Sequence, residues 1–137
     1  MAFRIQQPVR HPDVDRTGIV YFPRFYDFFH RALEDFFTRE VGMQIWDVPE
    51  QLKVAFPVVH IETDFQTPLQ HGDLVTIQVG VTKVSSHSVT LIYEVYRPGE
   101  RDPAARSTIV LACIEVPGWK KTEIPENVRA AFERHRT

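Results

Sequence analysis

Four stretches in the second half of the chain alternate apolar and polar residues, which is the pattern of strands with one buried face. These stretches are residues 54–67, 73–84, 86–97 and 107–116. The first is expected to bury Ala55, Val59, Ile61 and Phe65. The last is apolar on both sides, which favours a central or interface-forming strand. Short links rich in Pro, Gly or Ser separate the stretches, so we predict antiparallel pairing.

The first half of the chain has the period of a helix. After a short alternating segment at residues 3–10, predicted to be a strand, apolar residues recur every three or four positions from Pro23 onward. This mostly aromatic stripe consists of Phe25, Phe28, Phe29, Ala32, Leu33, Phe36 and Phe37. Proline suits the first helical position, where an N–H group has no partner. Residues 43–53 are predicted to form a helical turn or loop with Trp46 as an anchor, and residues 125–136 a short helix.

The order of these elements predicts the fold class. An aromatic helix needs a large apolar partner, and so does a sheet with one apolar face. We therefore predict an α+β fold in which one long central helix is wrapped by a curled antiparallel five-stranded sheet. At 137 residues, the chain is expected to be a single domain over residues 1–137.

Composition narrows the classes of function. The net charge is −2 and there is no long basic run, so we expect no nucleic-acid partner. The single cysteine, Cys113, excludes an internal disulfide and fits a reducing compartment. The sequence shows neither a signal-like apolar run nor a stretch long enough to span a bilayer, so we predict a cytoplasmic protein without a membrane partner.

The candidate chemistry lies between the first strand and the aromatic helix, where residues 13–22 read DVDRTGIVYF. Asp15 precedes a helix start, whose backbone N–H groups lack intrahelical partners and can hold an oxyanion together with the helix dipole. A carboxylate, a glycine turn and a helix start are sufficient for acyl transfer without a Ser or Cys nucleophile. The alternative is a polar turn whose Asp only caps the helix.

This motif, followed by an aromatic helix, resembles the 4-hydroxybenzoyl-CoA thioesterase family, whose members have the hotdog fold. The resemblance covers residues 3–118 and includes the segments FPVVH at 56–60 and HGD at 71–73. Within the family, the chain looks most like the 1,4-dihydroxy-2-naphthoyl-CoA hydrolases of quinone biosynthesis. Phe22 stands where the Tol–Pal-associated branch usually has His, which argues against the short aliphatic substrates of that branch.

The resemblance implies that the protein hydrolyses an acyl-CoA thioester without a metal or a cofactor. It assigns the role of nucleophile or general base to Asp15 and the thioester-polarising backbone amide to Phe22, with Gly18 as the turn glycine. It also suggests an aromatic acyl group, such as 1,4-dihydroxy-2-naphthoyl or 4-hydroxybenzoyl.

The acyl pocket is expected to be formed by aromatic side chains. Tyr21, Phe22, Phe25 and Phe56 have flat faces that can stack an aromatic acyl group, although the same residues are equally suited to a core. His60 lies on the polar side of its strand and is a candidate for contributing to this pocket across a subunit interface. Hotdog relatives pair their sheets edge to edge, so we predict a homo-oligomer, a dimer or a tetramer.

Other polar residues are weaker candidates. Asp13 is expected to point the same way as Asp15 and to steady the loop rather than share its proton. Glu34 corresponds in type to a helix carboxylate used by another hotdog branch, but it lies opposite the aromatic stripe. The CoA phosphates need cationic partners, for which the candidates are Arg97, Arg101, Arg106, Lys120 and Lys121. His71, His87 and Cys113 have no metal-like spacing.

Several other functions are open at this point. One is a short-chain aliphatic acyl-CoA thioesterase of the Tol–Pal-associated type, and another is a non-catalytic acyl-CoA-binding hotdog protein. A hotdog dehydratase needs a His and an acid at the acyl β-carbon, which the Asp15 motif does not supply. Hotdog thioesterases of polyketide assembly have Asn at this position, so Asp15 argues against them.

Overall fold

The computed structural model describes residues 2–137, which form three helices and seven strands with short helical turns between them. In chain order the elements are β1 (Phe3–Pro8), α1 (Arg24–Phe36), α2 (Val48–Leu52), β2 (Val54–Ala55), β3 (Val58–Phe65), β4 (Leu74–Val84), β5 (Ser88–Tyr96), β6 (Ala105–Ala112), β7 (Ile114–Glu115) and α3 (Glu126–Arg134). Two 3₁₀ turns, His11–Asp13 and Ile45–Asp47, and a π-helical turn, Phe37–Val41, complete the order.

Five of the strands form one sheet in the order β1-β4-β5-β6-β3, with every neighbouring pair antiparallel. The pairing sets apolar residues opposite each other on one face, as with Ile77 and Val95. The prediction of an α+β protein with a five-stranded antiparallel sheet is therefore confirmed. The short strands β2 and β7 form a separate pair beside it.

The aromatic stripe of α1 lies against this sheet and forms the core. All seven stripe residues predicted from the sequence are buried. The Phe29 ring lies 5.0 Å from Tyr93 on β5, and the Phe36 ring lies 5.5 Å from Phe3 on β1. The α-helix itself has 13 residues, so it is long only when the 5-residue π-helical turn that follows is counted.

The edge strand β3 differs from the prediction. The expected strand over residues 54–67 is split at Phe56 and Pro57, where proline cannot donate to a ladder. Val59, Ile61 and Phe65, expected in the core, are exposed, with Val59 61% accessible. They alternate as predicted, but β3 is the last strand of the sheet, and among residues 2–137 no strand pairs with its outer edge.

The remaining elements are close to the prediction. Residues 45–52 are helical, but Trp46 is 86% exposed and anchors nothing, because the turn that carries it lies on the surface. Helix α3 buries Phe132, whose ring stacks on Phe36 at 5.6 Å. The chain end then joins the sheet, where the N–H of Thr137 donates to the carbonyl of Val81 at 2.8 Å.

Among residues 2–137, no helix has both the length and the apolar character needed to cross a membrane.

Candidate active site

Asp15 lies at the tip of a small hairpin that connects β1 to α1. Val14 and Val20 bridge the two arms, and the N–H of Asp15 donates to the carbonyl of Ile19 at 2.9 Å. The N–H of Gly18 donates back to the carbonyl of Asp15 at 3.0 Å. Gly18 has a φ of 83°, a left-handed conformation that strains residues with a Cβ. The glycine therefore allows this tight turn, which presents Asp15 to solvent.

The two carboxylate oxygens of Asp15 have different surroundings. Its Oδ1 accepts hydrogen bonds from the backbone N–H of Thr17 at 2.8 Å and from the Thr17 hydroxyl at 2.5 Å. Its Oδ2 has no partner among residues 2–137. The Thr17 hydroxyl, followed by the Thr17 amide, lowers the pKa of Asp15 below its ordinary value. Asp15 is thus ionised at neutral pH, with one oxygen anchored and the other free.

The start of α1 leaves one backbone donor available. The N–H groups of Arg24, Phe25 and Tyr26 donate to the carbonyls of residues 21–23 at 2.8 to 3.1 Å. The N–H of Phe22, in contrast, finds no acceptor within the described residues 2–137. Pro23, which follows it, has no N–H to compete. The N–H group that the resemblance assigns to oxyanion binding is therefore free to donate a hydrogen bond, and it lies at the positive end of a helix dipole.

Aromatic side chains surround this helix start. The Phe22 ring, 59% exposed, lies 5.6 Å from Tyr21 and 6.3 Å from Phe65. Phe25 lies beneath them, buried, with its ring 5.1 Å from Phe65. We call Tyr21, Phe22, Phe25 and Phe65 the aromatic cluster. The structure thus brings together three predicted pocket residues and adds Phe65, which the alternation pattern predicts to be in the core.

Phe56 and His60 do not join the aromatic cluster within one chain. The Phe56 ring contacts Phe37 at 5.9 Å and lines a separate apolar pocket of about 280 Å³. His60 is exposed on β3, with Nε2 2.9 Å from Oε1 of Glu62. Their role in acyl binding stays a prediction that requires a second chain.

The other two carboxylates have structural or surface positions. The expectation that Asp13 and Asp15 point the same way is wrong, because Asp13 ends a 3₁₀ turn rather than lying in an extended segment. Its side chain is buried and accepts the N–H of Arg10 at 2.9 Å. Glu34 is exposed on α1 and lies 3.3 Å from Nε2 of His30.

The cationic candidates for the CoA phosphates have three different surroundings. Arg97 is already engaged, because its Nε donates to Asp73 at 3.1 Å and its Nη1 lies 3.6 Å from Glu100. Arg101 and Arg106 line an open polar pocket of about 740 Å³. Lys120 and Lys121 are exposed. Phosphate binding by these four residues stays a prediction.

A partly buried network of hydrogen bonds near the candidate site is not predicted by the sequence pattern. The Tyr26 hydroxyl lies 2.9 Å from Oγ1 of Thr63, which lies 2.8 Å from Oγ of the fully buried Ser107. These two hydrogen bonds join α1 to β3 and β6 and fix the helix start against the edge strand. A polar Thr63 on the apolar side of its predicted strand was the only signal for it.

Cys113 is fully buried, and burial raises the pKa of its thiol to about 11, so the predicted inert thiol has the expected surroundings. In the described part of the chain, residues 2–137, no three His, Cys, Asp or Glu side chains come close enough together to hold a metal ion.

Known proteins share both the sequence pattern and the fold. A family model described as the Thioesterase-like superfamily matches residues 9–132. A 1,4-dihydroxy-2-naphthoyl-CoA hydrolase of Synechocystis sp. is 28% identical over 131 residues, which covers 96% of this chain and 94% of that protein. The acyl-CoA thioesterase YbgC of Haemophilus influenzae is 27% identical over 127 residues, 91% of each chain. The crystal structure of a 1,4-dihydroxy-2-naphthoyl-CoA thioesterase from Synechocystis superposes with a TM-score of 0.88 at 27% identity, over 96% of both chains.

Proposed function

Because the chain belongs to the Thioesterase-like superfamily, we propose that it hydrolyses an aromatic acyl-CoA thioester to the free acid and coenzyme A. The predicted family, the hotdog fold and the predicted class of enzyme, a thioester hydrolase, are confirmed by the family match and the relatives. The observation that carries the proposed mechanism is that the short connection between β1 and α1 contains two polar groups without a hydrogen-bond partner in residues 2–137. These groups are Oδ2 of Asp15 and the N–H of Phe22.

The proposed chemistry uses these two groups directly. The N–H of Phe22 donates to the thioester carbonyl oxygen and stabilises the negative charge that develops there. Oδ2 of Asp15 either attacks the carbonyl carbon or takes a proton from the attacking water. In the first route the C–S bond breaks to give an acyl–aspartyl anhydride and the CoA thiolate, and water then hydrolyses the anhydride. In the second route the proton passes from Asp15 to the leaving sulfur.

We propose that the active unit is at least a homodimer, formed through β3. Within residues 2–137 the outer edge of β3 has no strand partner, and Val59 and Ile61 are exposed beside it. An unpaired apolar edge is a template for a second strand. Two copies of β3 paired antiparallel about a two-fold axis set the Val58 end of one strand beside the Phe65 end of the other. The aromatic cluster of one chain then faces Phe56 and His60 of a second copy.

The acyl group is proposed to be aromatic because the exposed rings at the helix start offer it flat partners. Relatives that are 28% identical are 1,4-dihydroxy-2-naphthoyl-CoA hydrolases, and 4-hydroxybenzoyl-CoA is a second aromatic candidate. The likeness to YbgC keeps a short-chain aliphatic acyl-CoA as the alternative substrate. The free thiol of Cys113 suits the proposed cytoplasmic location.

Steady-state kinetics with naphthoyl-, benzoyl-, propionyl- and butyryl-CoA thioesters test the substrate. We expect kcat/KM to be at least about ten-fold higher for the aromatic thioesters, which corresponds to about 1.4 kcal/mol of additional transition-state binding. A preference for the short aliphatic thioesters would support the YbgC-like alternative. Tight binding without turnover of any of them would indicate an acyl-CoA-binding protein that is not an enzyme.

Removing the Thr17 hydroxyl should change the pH dependence of the reaction. Since that hydroxyl is the main cause of the lowered pKa of Asp15, Thr17→Val should raise the pKa. The acidic limb of the kcat/KM profile should then move to higher pH, because Asp15 must be ionised to act. Thr17→Ser keeps the hydroxyl and serves as the control, with a limb close to that of the wild type. An unmoved limb in Thr17→Val would contradict this role.

Chelation should leave turnover unchanged. The proposed oxyanion donor is a backbone amide, and residues 2–137 contain no cluster with metal-binding geometry. Protein dialysed against EDTA is expected to keep its full kcat. Loss of activity that one divalent ion restores would contradict the proposed mechanism.

A further inference from the structure

The hairpin that carries Asp15 is held from one side by the turn at residues 69–73. The N–H of His71 donates to the carbonyl of Gly18 at 3.0 Å, and the N–H of Val20 donates to that of Leu69 at 2.8 Å. Both bonds reach the arm of the hairpin that follows Asp15. The position of the 69–73 turn therefore sets the position of Gly18, and through it that of the carboxylate.

The carboxylate of Asp73 helps to close the 69–73 turn. Its Oδ2 accepts the N–H of Gln70 at 2.9 Å and Nε of Arg97, from the end of β5, at 3.1 Å. Nη2 of Arg97 also lies 3.5 Å from Oε1 of Gln70. The Asp73 and Arg97 side chains are only 15% and 24% exposed. Hydrogen bonds between charged and partly shielded groups are stronger than neutral ones.

The carboxylate of Asp73 acts on only one side of the turn. On the other side, the backbone already fixes the chain. The N–H of Gly72 donates to the carbonyl of Val9 at 3.0 Å, and the N–H of Val9 donates to the backbone carbonyl of Asp73 at 2.8 Å. These bonds continue the pairing of β1 with β4 and do not involve the side chains of Asp73 or Arg97. On the side that faces Gly18, the N–H of Asp73 donates to the carbonyl of Gln70 at 3.0 Å, and the carboxylate adds the bond from the N–H of Gln70. The ion pair therefore acts on the Gln70 side of the turn.

We infer that Asp73 and Arg97 are positioning residues that hold the Asp15 turn through Gln70 and His71. This inference rests on the proposed function. Neither side chain is placed against the reacting atoms, so substrate binding should change little when the pair is broken. Instead, the carboxylate of Asp15 should be displaced relative to the thioester. A displacement of a reacting group by about 1 Å is enough to lower the rate on the order of 100-fold.

The test compares Asp73→Asn, Arg97→Gln and the double variant with wild type. Asn keeps an acceptor for the N–H of Gln70 but not the charge that pairs with Arg97. We expect each variant to lower kcat by roughly 10-fold to 100-fold, with KM changed less than about two-fold. The double variant should lose no more than the worse single variant, because both act through one contact. Arg97→Lys keeps the positive charge, so its kcat should lie between that of Arg97→Gln and that of the wild type.

An independent readout is amide hydrogen exchange. The amide of His71 should exchange faster in Asp73→Asn, while that of Val79 in the middle of β4 should stay as slow as in wild type. Arg136→Gln is the matched control, because its partner Glu133, at 3.5 Å, lies on the surface of α3. This control should leave kcat and both exchange rates unchanged. If Asp73→Asn does not fold, Arg97→Lys and Arg97→Gln carry the same test.

The outcomes separate this inference from the proposed function. Wild-type protein that hydrolyses acyl-CoA, with kcat unchanged in all pair variants, would overturn the inference and leave the function standing. Faster exchange at His71 without a loss of kcat would overturn it as well, because the pair would then be structural only. Wild-type protein that hydrolyses no acyl-CoA would overturn the proposed function itself.

Discussion

Asp15→Asn is expected to lower kcat by about 10² to 10⁴-fold while the protein stays folded. Asn has the shape of Asp and still accepts the hydrogen bonds that Thr17 donates. It has no negative charge, so it can neither attack the thioester nor take a proton from water. Thioester hydrolysis under saturating substrate gives kcat, and a thermal melt close to that of wild type shows that the fold is retained.

Glu34→Gln is the matched control, since Glu34 is an exposed carboxylate on α1 whose partner is His30. It should keep kcat within about two-fold of wild type, as expected for an exposed contact on the helix surface. Loss of activity in this variant would indicate that the catalytic carboxylate is Glu34 on the helix. An Asp15→Asn protein that is folded and keeps a third or more of the wild-type kcat would rule out the proposed mechanism.

Val59→Glu should convert the proposed dimer to monomers and abolish most of the activity. Val59 is 61% exposed in the single chain, so a charge there does little harm to the monomer. In a dimer paired through β3, the same charge lies within the interface without a partner. Light scattering should show the mass falling to 15.9 kDa from at least twice that value. We expect kcat/KM to fall by at least about ten-fold, because each site loses its second half.

Trp46→Glu is the control for this experiment, because Trp46 is another exposed hydrophobic residue, 86% accessible, and lies outside β3. It should keep both the mass and the activity. A wild-type protein of 15.9 kDa at micromolar concentration with full activity would contradict the dimer. Co-refolding Asp15→Asn with His60→Trp gives a sharper test, since shared sites should regain part of the activity in the hybrids. No recovery despite subunit exchange would place the whole site within one chain.

Much of the fold follows from local periodicity. The stripe of α1 and the alternation of β4 and β5 each bury one face, so a count of apolar positions is enough to place them. The same count failed at β3, because alternation reports that a face needs covering and not which chain covers it. Val59 and Ile61 are exposed in the single chain, and the proposed pairing of β3 with a second copy is what would cover them.

The candidate site was predictable only where its residues are close in sequence. Asp15, Gly18 and Phe22 lie in one connection, and each role depends on backbone geometry that a turn glycine and a helix start signal. Phe65 joins the aromatic cluster through a ring contact with Phe22, 43 residues earlier in the chain. Contacts of that kind depend on the register of the sheet, which the sequence pattern does not specify.

The burial of Cys113 makes the assay itself simpler. Release of coenzyme A exposes a thiol, which chromogenic disulfide reagents detect at mildly alkaline pH. The protein has one cysteine, fully enclosed and with its pKa raised to about 11, so the folded enzyme should contribute no background colour. Each colour change then counts a product molecule. In denaturant, the same reagent instead titrates one equivalent per unfolded chain and becomes a direct probe of global opening.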